Sequence, residues 1–159
     1  PEMPLHVIGA SIVLAGILIW ISATDLKEFI IPDAASVSLI LSGLIAVSMI
    51  DLGLLATHAL GAAMAWMVFA LVSRLFLSWR GYEGLGLGDA KLAAGAAVWI
   101  GPWAMPSMVL MASLLAIASL LLAKRLGSGS GALNGQSGIA FGPFLALSTW
   151  VTWIYGPVV

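Results

Sequence analysis

The sequence predicts an all-α, polytopic integral membrane protein with about six transmembrane helices. Three observations carry that expectation. Hydrophobic residues are 62% of the 159 and charged residues only 8%, with a mean hydropathy of +1.13, so the chain lacks the polar shell a soluble domain of this size needs. The apolar residues fall in runs long enough to cross a bilayer. The six lysines and arginines all fall on one side once six spans are drawn. Some chemistries are excluded at once. With no cysteine there is no disulfide, no cysteine-ligated zinc and no thiol nucleophile. A net charge of −1 without a basic run argues against nucleic acid as a partner. His6 and His58 are too isolated to make a metal site by spacing.

Pro1 and Glu2 precede Met3; they are read as a cloning remnant and left out of the fold reasoning. A span needs roughly 20 apolar residues, because about 30 Å of hydrocarbon is crossed at about 1.5 Å per residue. Leu5 to Thr24 meets this. It has no basic leader and no small-residue cleavage site, so it reads as a retained helix. Asp25 to Asp33 holds four of the thirteen formal charges and reads as a solvent-facing connection. Pro32 suits the first turn of the next helix, where its missing N–H costs nothing. Ala34 to Ile50 is the second span, and Leu54 to Trp79 the third, with Arg74 near enough to its end to snorkel. A glycine track follows, then a short apolar piece from Ala90 to Ile100, broken by Gly101-Pro102. Trp103 to Ala123 is the fifth span, Gly127 to Gly138 a flexible loop, and Ile139 to Val158 the sixth span. Trp150, Trp153 and Tyr155 are expected to form an interfacial belt. Residues 1–159 are expected to form a single membrane-embedded domain, without the internal repeat of a transporter.

The basic residues orient the bundle. Lys27, Arg74, Arg80, Lys91, Lys124 and Arg125 occupy the first, third and fifth loops, which are therefore cytoplasmic, with both termini outside.

Asp25 then ends helix 1 and Asp89 begins helix 4 on that same face. A carboxylate pair sharing one proton suits hydrolysis by activated water: one takes the water's proton, the other donates. The helix after Asp89 has only about 12 residues, roughly 18 Å of rise, which sinks Asp89 below the lipid surface. Ionisable groups there suggest function. Gly84, Gly86 and Gly88 let backbone approach closely, as a substrate strand lying against the site requires. By the helix dipole alone, Asp89 at a helix N-terminus would be the resting base, and Asp25 at a C-terminus would hold the proton. Gly86, Gly88, Lys91, Asp33 and Glu28 are the candidates for contacting substrate. Plainer readings stand beside these. An aspartate before a helix is most often an N-cap, Asp25 alone reads as a loop charge, and Glu28, Asp33 and Glu83 as solvated charges. Asp51 and His58 fall on the opposite side. The residues alone reach a membrane protein with a carboxylate pair at one face.

Asp25-Leu26-Lys27 followed by Ile31-Pro32 resembles the first block of the type IV prepilin leader peptidases. Gly84-Leu85-Gly86-Leu87-Gly88-Asp89-Ala90-Lys91-Leu92 resembles their second block, with its Gly-x-Gly-Asp signature, and Gly138 to Leu147 their C-terminal segment. The resemblance implies a bacterial inner-membrane aspartyl endopeptidase that removes a short basic leader from prepilins or pseudopilins at the cytoplasmic face. Cleavage in that family follows a glycine just ahead of the substrate's hydrophobic helix. Asp25 and Asp89 stand at the catalytic positions, and no metal or organic cofactor is implied; the partners are substrate and membrane lipid. Without cysteines the chain resembles the short, peptidase-only forms, and N-methyltransferase activity is expected to be absent. Asp33 stands where asparagine is common. Two other readings remain: a channel or proton-coupled transporter, which would place carboxylates near the bilayer midplane, and an inactive assembly factor for a pilus or secretion machine.

Overall fold

The computed structural model describes residues 5–81, 86–126 and 140–157. They form six α-helices: α1 (Leu5–Glu28), α2 (Asp33–Ile50), α3 (Leu55–Arg80), α4 (Leu87–Ile100), α5 (Met105–Arg125) and α6 (Gly142–Tyr155). Short 3-10 turns, Leu52–Leu54 and Pro102–Ala104, lead into α3 and α5. Among the described residues there is no strand. Four segments are long and apolar enough to cross a membrane: Val7–Glu28, Asp33–Ile50, Leu52–Trp79 and Pro102–Arg125. At 14 residues each, α4 and α6 rise only about 21 Å, short of the bilayer core. The expected Gly127–Gly138 loop and both ends of the expected sixth span lie outside the described residues, as do Glu83 and Gly84.

The short α4 sits at the centre, packed chiefly on α3, α2 and α6. From Asp89 to Trp99 every residue but Lys91 is buried. Its alanines and Gly95 let neighbouring backbones come close, the usual device where lipid supplies no hydrophobic drive between helices. The α2–α4 seam interlocks reciprocally. A Cβ at Gly95 would lie 2.5 Å from Leu39 Cδ2, and one at Gly43 would lie 2.8 Å from the Trp99 ring. Between these two contacts Trp99 Nε1 donates to the Leu39 carbonyl at 2.9 Å.

Several expectations need correction here. Trp153 is not a belt residue. Its ring meets Trp99 edge-on, with centroids 5.2 Å apart at 89°, and its Nε1 donates to Ser11 Oγ at 2.9 Å. Tyr155 is exposed. His58 is half-buried, and its Nδ1 donates to the Val98 carbonyl at 2.6 Å. That bond ties the start of α3 to the end of α4 and makes the two antiparallel. Pro32 stands one residue ahead of α2, as its N-cap, with extended backbone at ψ 137°; Asp33 opens the helix. Large apolar side chains such as Ile12, Ile19, Leu41, Ile45, Met64 and Met67 remain exposed on the outside of the bundle, a surface suited to lipid and not to water.

Candidate active site

Asp25 does not lie in a solvent-facing connection. Helix α1 continues to Glu28, and Asp25 is only 6% exposed. The cause is spacing. Leu14, Leu18, Ile21 and Asp25 are all buried and recur at intervals of four, three and four residues, which puts them on one helical face. Asp25 is the last member of an inward stripe that is otherwise hydrocarbon.

The chain leaves α1 through a tight turn. The Phe29 N–H donates to the Asp25 carbonyl at 2.9 Å, and Phe29 has φ +54°. A left-handed phenylalanine is strained by roughly 1–2 kcal/mol. The turn tucks Ile31 inward, 6% exposed, against α4. A Cβ at Gly88 would sit 3.1 Å from Ile31 Cβ, so a larger residue there would push the α1–α2 turn away from α4.

Asp89 is also buried, at 8%. It is the third residue of α4 and not its N-cap, which is Gly86. Its N–H donates to the Gly86 carbonyl at 3.1 Å, and its carboxyl interacts with the Gly86 backbone amide. Asp89 lies within the field of the Asp25 carboxyl, so residues 64 positions apart in sequence share one end of the bundle.

A third element closes the site. Gly142, the first residue of α6, donates its N–H to Asp25 Oδ2 at 3.0 Å, and the bond is buried. No side chain fits at this position: a Cβ would stand 2.6 Å from Oδ2 and 3.0 Å from Cγ. Residue-level reading of the sequence assigned Gly142 no role, although it lies in the C-terminal block of the resemblance. The contact spans 117 positions, and only the repeated glycine-proline at a helix start hints at it. Asp25 lies in the last turn of α1, but its carboxyl faces the opening turn of α6, so the dipole of α1 is not the only one that acts on it.

The other candidates are placed around this pair. Gly86 is exposed beside Asp89, while Gly88 is turned onto Ile31. Glu28 is exposed at the end of α1. Lys91 forms an ion pair with Asp33 across the α2–α4 seam. Two residues along a helix is about 200° of rotation, so Lys91 points away from the face that carries Asp89. Together Asp33, Ser36, Val37, Ile40, Trp66, Lys91 and Ala94 line a cavity of about 330 Å³. Among the described residues no three histidine, aspartate or glutamate side chains gather as a metal set would need.

Fold and site together define a polytopic, all-helical membrane protein with two buried carboxyl groups meeting at one end of its bundle. The chain belongs to the type IV leader peptidase family, whose sequence profile it matches over residues 12–122. Three curated relatives, each called prepilin leader peptidase/N-methyltransferase, illustrate the likeness. The protein of Dichelobacter nodosus is 30% identical over 149 residues, 94% of this chain and 49% of its own length. That of Dickeya chrysanthemi is 33% identical over 144 residues, 91% of this chain and 49% of its own length. That of Burkholderia pseudomallei is 31% identical over 151 residues, 93% and 48%. The chain spans about half the length of the curated relatives it matches. No solved structure matches it.

Proposed function

We propose that this chain is an aspartic-type endopeptidase that removes the short basic leader of prepilin-like proteins at the cytoplasmic face of the bacterial inner membrane. The observation that carries the proposal is the burial of Asp25 and Asp89 at one end of the bundle, with Asp89 in the field of Asp25. A buried, unpaired carboxyl group is costly, and two of them in one place are the minimum equipment for hydrolysis by activated water. Family membership and the names of the relatives support the substrate class. Those relatives are named for two activities; we assign the peptidase to these residues and no methyl transfer.

In the proposed reaction the two carboxyl groups hold one proton between them, since like charges this close resist joint ionisation. The ionised carboxylate takes a proton from water as its oxygen bonds to the scissile carbonyl carbon. The protonated partner polarises that carbonyl and then gives its proton to the departing amide nitrogen as the C–N bond breaks. Gly86, exposed and without a side chain beside Asp89, is where substrate backbone would lie.

The test is leader cleavage of a co-expressed prepilin by the parent, Asp25→Asn and Asp89→Asn. Both variants are expected to insert normally and to lose about 10³-fold or more of the activity. Persistent cleavage by either would remove that residue from the chemistry.

A further inference from the structure

We infer that Gly142 is a positioning residue for the reaction: its backbone N–H at the start of α6 holds Asp25 as the carboxylate that deprotonates water, which leaves Asp89 as the proton donor. The inference rests on the two-aspartate reading above.

The geometry is specific. The Gly142 N–H donates to Oδ2 at 3.0 Å, which fixes the carboxylate of Asp25 against the start of α6. A carboxylate accepting a backbone N–H at a helix start is favoured as the anion, through the hydrogen bond and through the partial positive charge of the first turn. Burial of the bond strengthens it, because no water competes, whereas the amide that meets the Asp89 carboxyl belongs to the exposed Gly86. The charged group facing Asp25 from another helix is Asp89 of α4. Asp33 of α2 is turned outward to Lys91, Lys27 and Glu28 on the same helix are exposed, and the described part of α6 carries no charged side chain.

Glycine is required by space and not by backbone conformation. A Cβ 2.6 Å from Oδ2 cannot be accommodated unless the carboxylate swings off the amide. Alanine at 142 would therefore misorient Asp25 while leaving Asp89 untouched.

The experiment compares two synthetic substrates of the same leader sequence, one with a peptide bond and one with a thioester at the scissile position. A thiolate leaves without being protonated, so the thioester needs the base but not the acid. Asp89→Asn is expected to regain a large share of the parent rate on the thioester, and Asp25→Asn to stay inactive on both. Gly142→Ala should follow Asp25→Asn, with kcat reduced about 10- to 100-fold on both substrates and KM within about threefold of the parent. Gly95→Ala, which crowds Leu39 about 9 Å of helix rise beyond Asp89, controls for packing damage and should keep parental kcat per folded molecule.

The inference is overturned if Asp25→Asn, and not Asp89→Asn, regains thioester activity. It is also overturned if the loss in Gly142→Ala lies in KM or tracks its folded fraction. Should Gly142→Ala fail to fold, it is made in an Asp25→Ala background, where the obstructing Cγ and Oδ2 are gone. Folding there is expected, and failure would show that Gly142 serves something other than Asp25. Peptide cleavage surviving in either aspartate variant would instead defeat the two-aspartate reading itself.

Discussion

Replacing Gly86 with alanine should separate catalysis from stability. Gly86 has φ −68° and ψ 145°, an extended conformation open to any L residue. Among the described residues, a Cβ there meets nothing closer than Asp89 Oδ2 and the Gly88 nitrogen, both at 3.8 Å. Two small stability effects oppose each other. Fewer unfolded conformations favour alanine by about 0.4–1 kcal/mol, while the N-cap position prefers glycine to alanine by about 0.5–1 kcal/mol. The net change should fall within about 0.5 kcal/mol of zero. Activity is another matter. A methyl group 3.8 Å from Oδ2 stands where a substrate carbonyl must come to within about 3 Å of the carboxyl. Displacing a reacting group by about 1 Å costs on the order of 100-fold, or about 2.7 kcal/mol of transition-state stabilisation. Leader cleavage in proteoliposomes, alongside the thermal midpoint of the same preparation, measures both. Parental kcat/KM at an unchanged midpoint would refute the reasoning, because substrate would then not approach Asp89 across Gly86.

Three further outcomes are expected. Lys91→Met removes an ion pair between exposed side chains, so it should cost less than about 1 kcal/mol and leave kcat within about threefold, as read by cleavage and thermal midpoint. Trp99→Phe removes one of the donors to the Leu39 carbonyl, which keeps the Ser42 hydroxyl, and weakens the edge-on contact with Trp153; from about 0.6–1.7 kcal/mol for the bond and about 0.5–1.5 kcal/mol for the ring pair, steric-trapping measurements should find a loss of about 1–3 kcal/mol. Phe29→Gly relieves the left-handed backbone at φ +54° by about 1–2 kcal/mol against about 0.5–1 kcal/mol of added unfolded-state entropy, so the midpoint should rise.

What could be read from the sequence was what depends on length and composition. The long runs around α1, α2, α3 and α5 are apolar throughout, so their existence and approximate ends follow from bilayer thickness alone. The central burial of α4 does not, because an alanine-rich segment of 14 residues looks like a poor span until its neighbours are known. The position of Trp153 near the chain end suggests an interfacial residue, whereas its partners Trp99 and Ser11 lie 54 and 142 positions away. Asp25 and Asp89 could be singled out as charges in an apolar chain. The burial of Asp25 was also legible, in the stripe Leu14, Leu18, Ile21, Asp25, had the helix been continued past Thr24. The Gly142 contact was not legible in this way. It is made by a backbone amide, which every residue type carries, so no side-chain pattern announces it.

The burial of α4 also bears on how the protein is made. The segment carries Asp89 and Lys91 within its first five residues, and alanines and glycines supply much of the rest. Charged residues oppose partition from the insertion machinery into lipid, by about 2.5–3.5 kcal/mol each at a helix centre and by less near its end, and alanine does little to offset them. Such a segment does not enter the membrane on its own merit. It needs α2 and α3, already synthesised and in place, to offer a protein-lined berth where Gly43 receives the Trp99 ring and Asp33 meets Lys91. An ordered assembly would follow, in which α4 settles once α2 and α3 are in place and the site is completed when α6 docks and sets its first amide on Asp25.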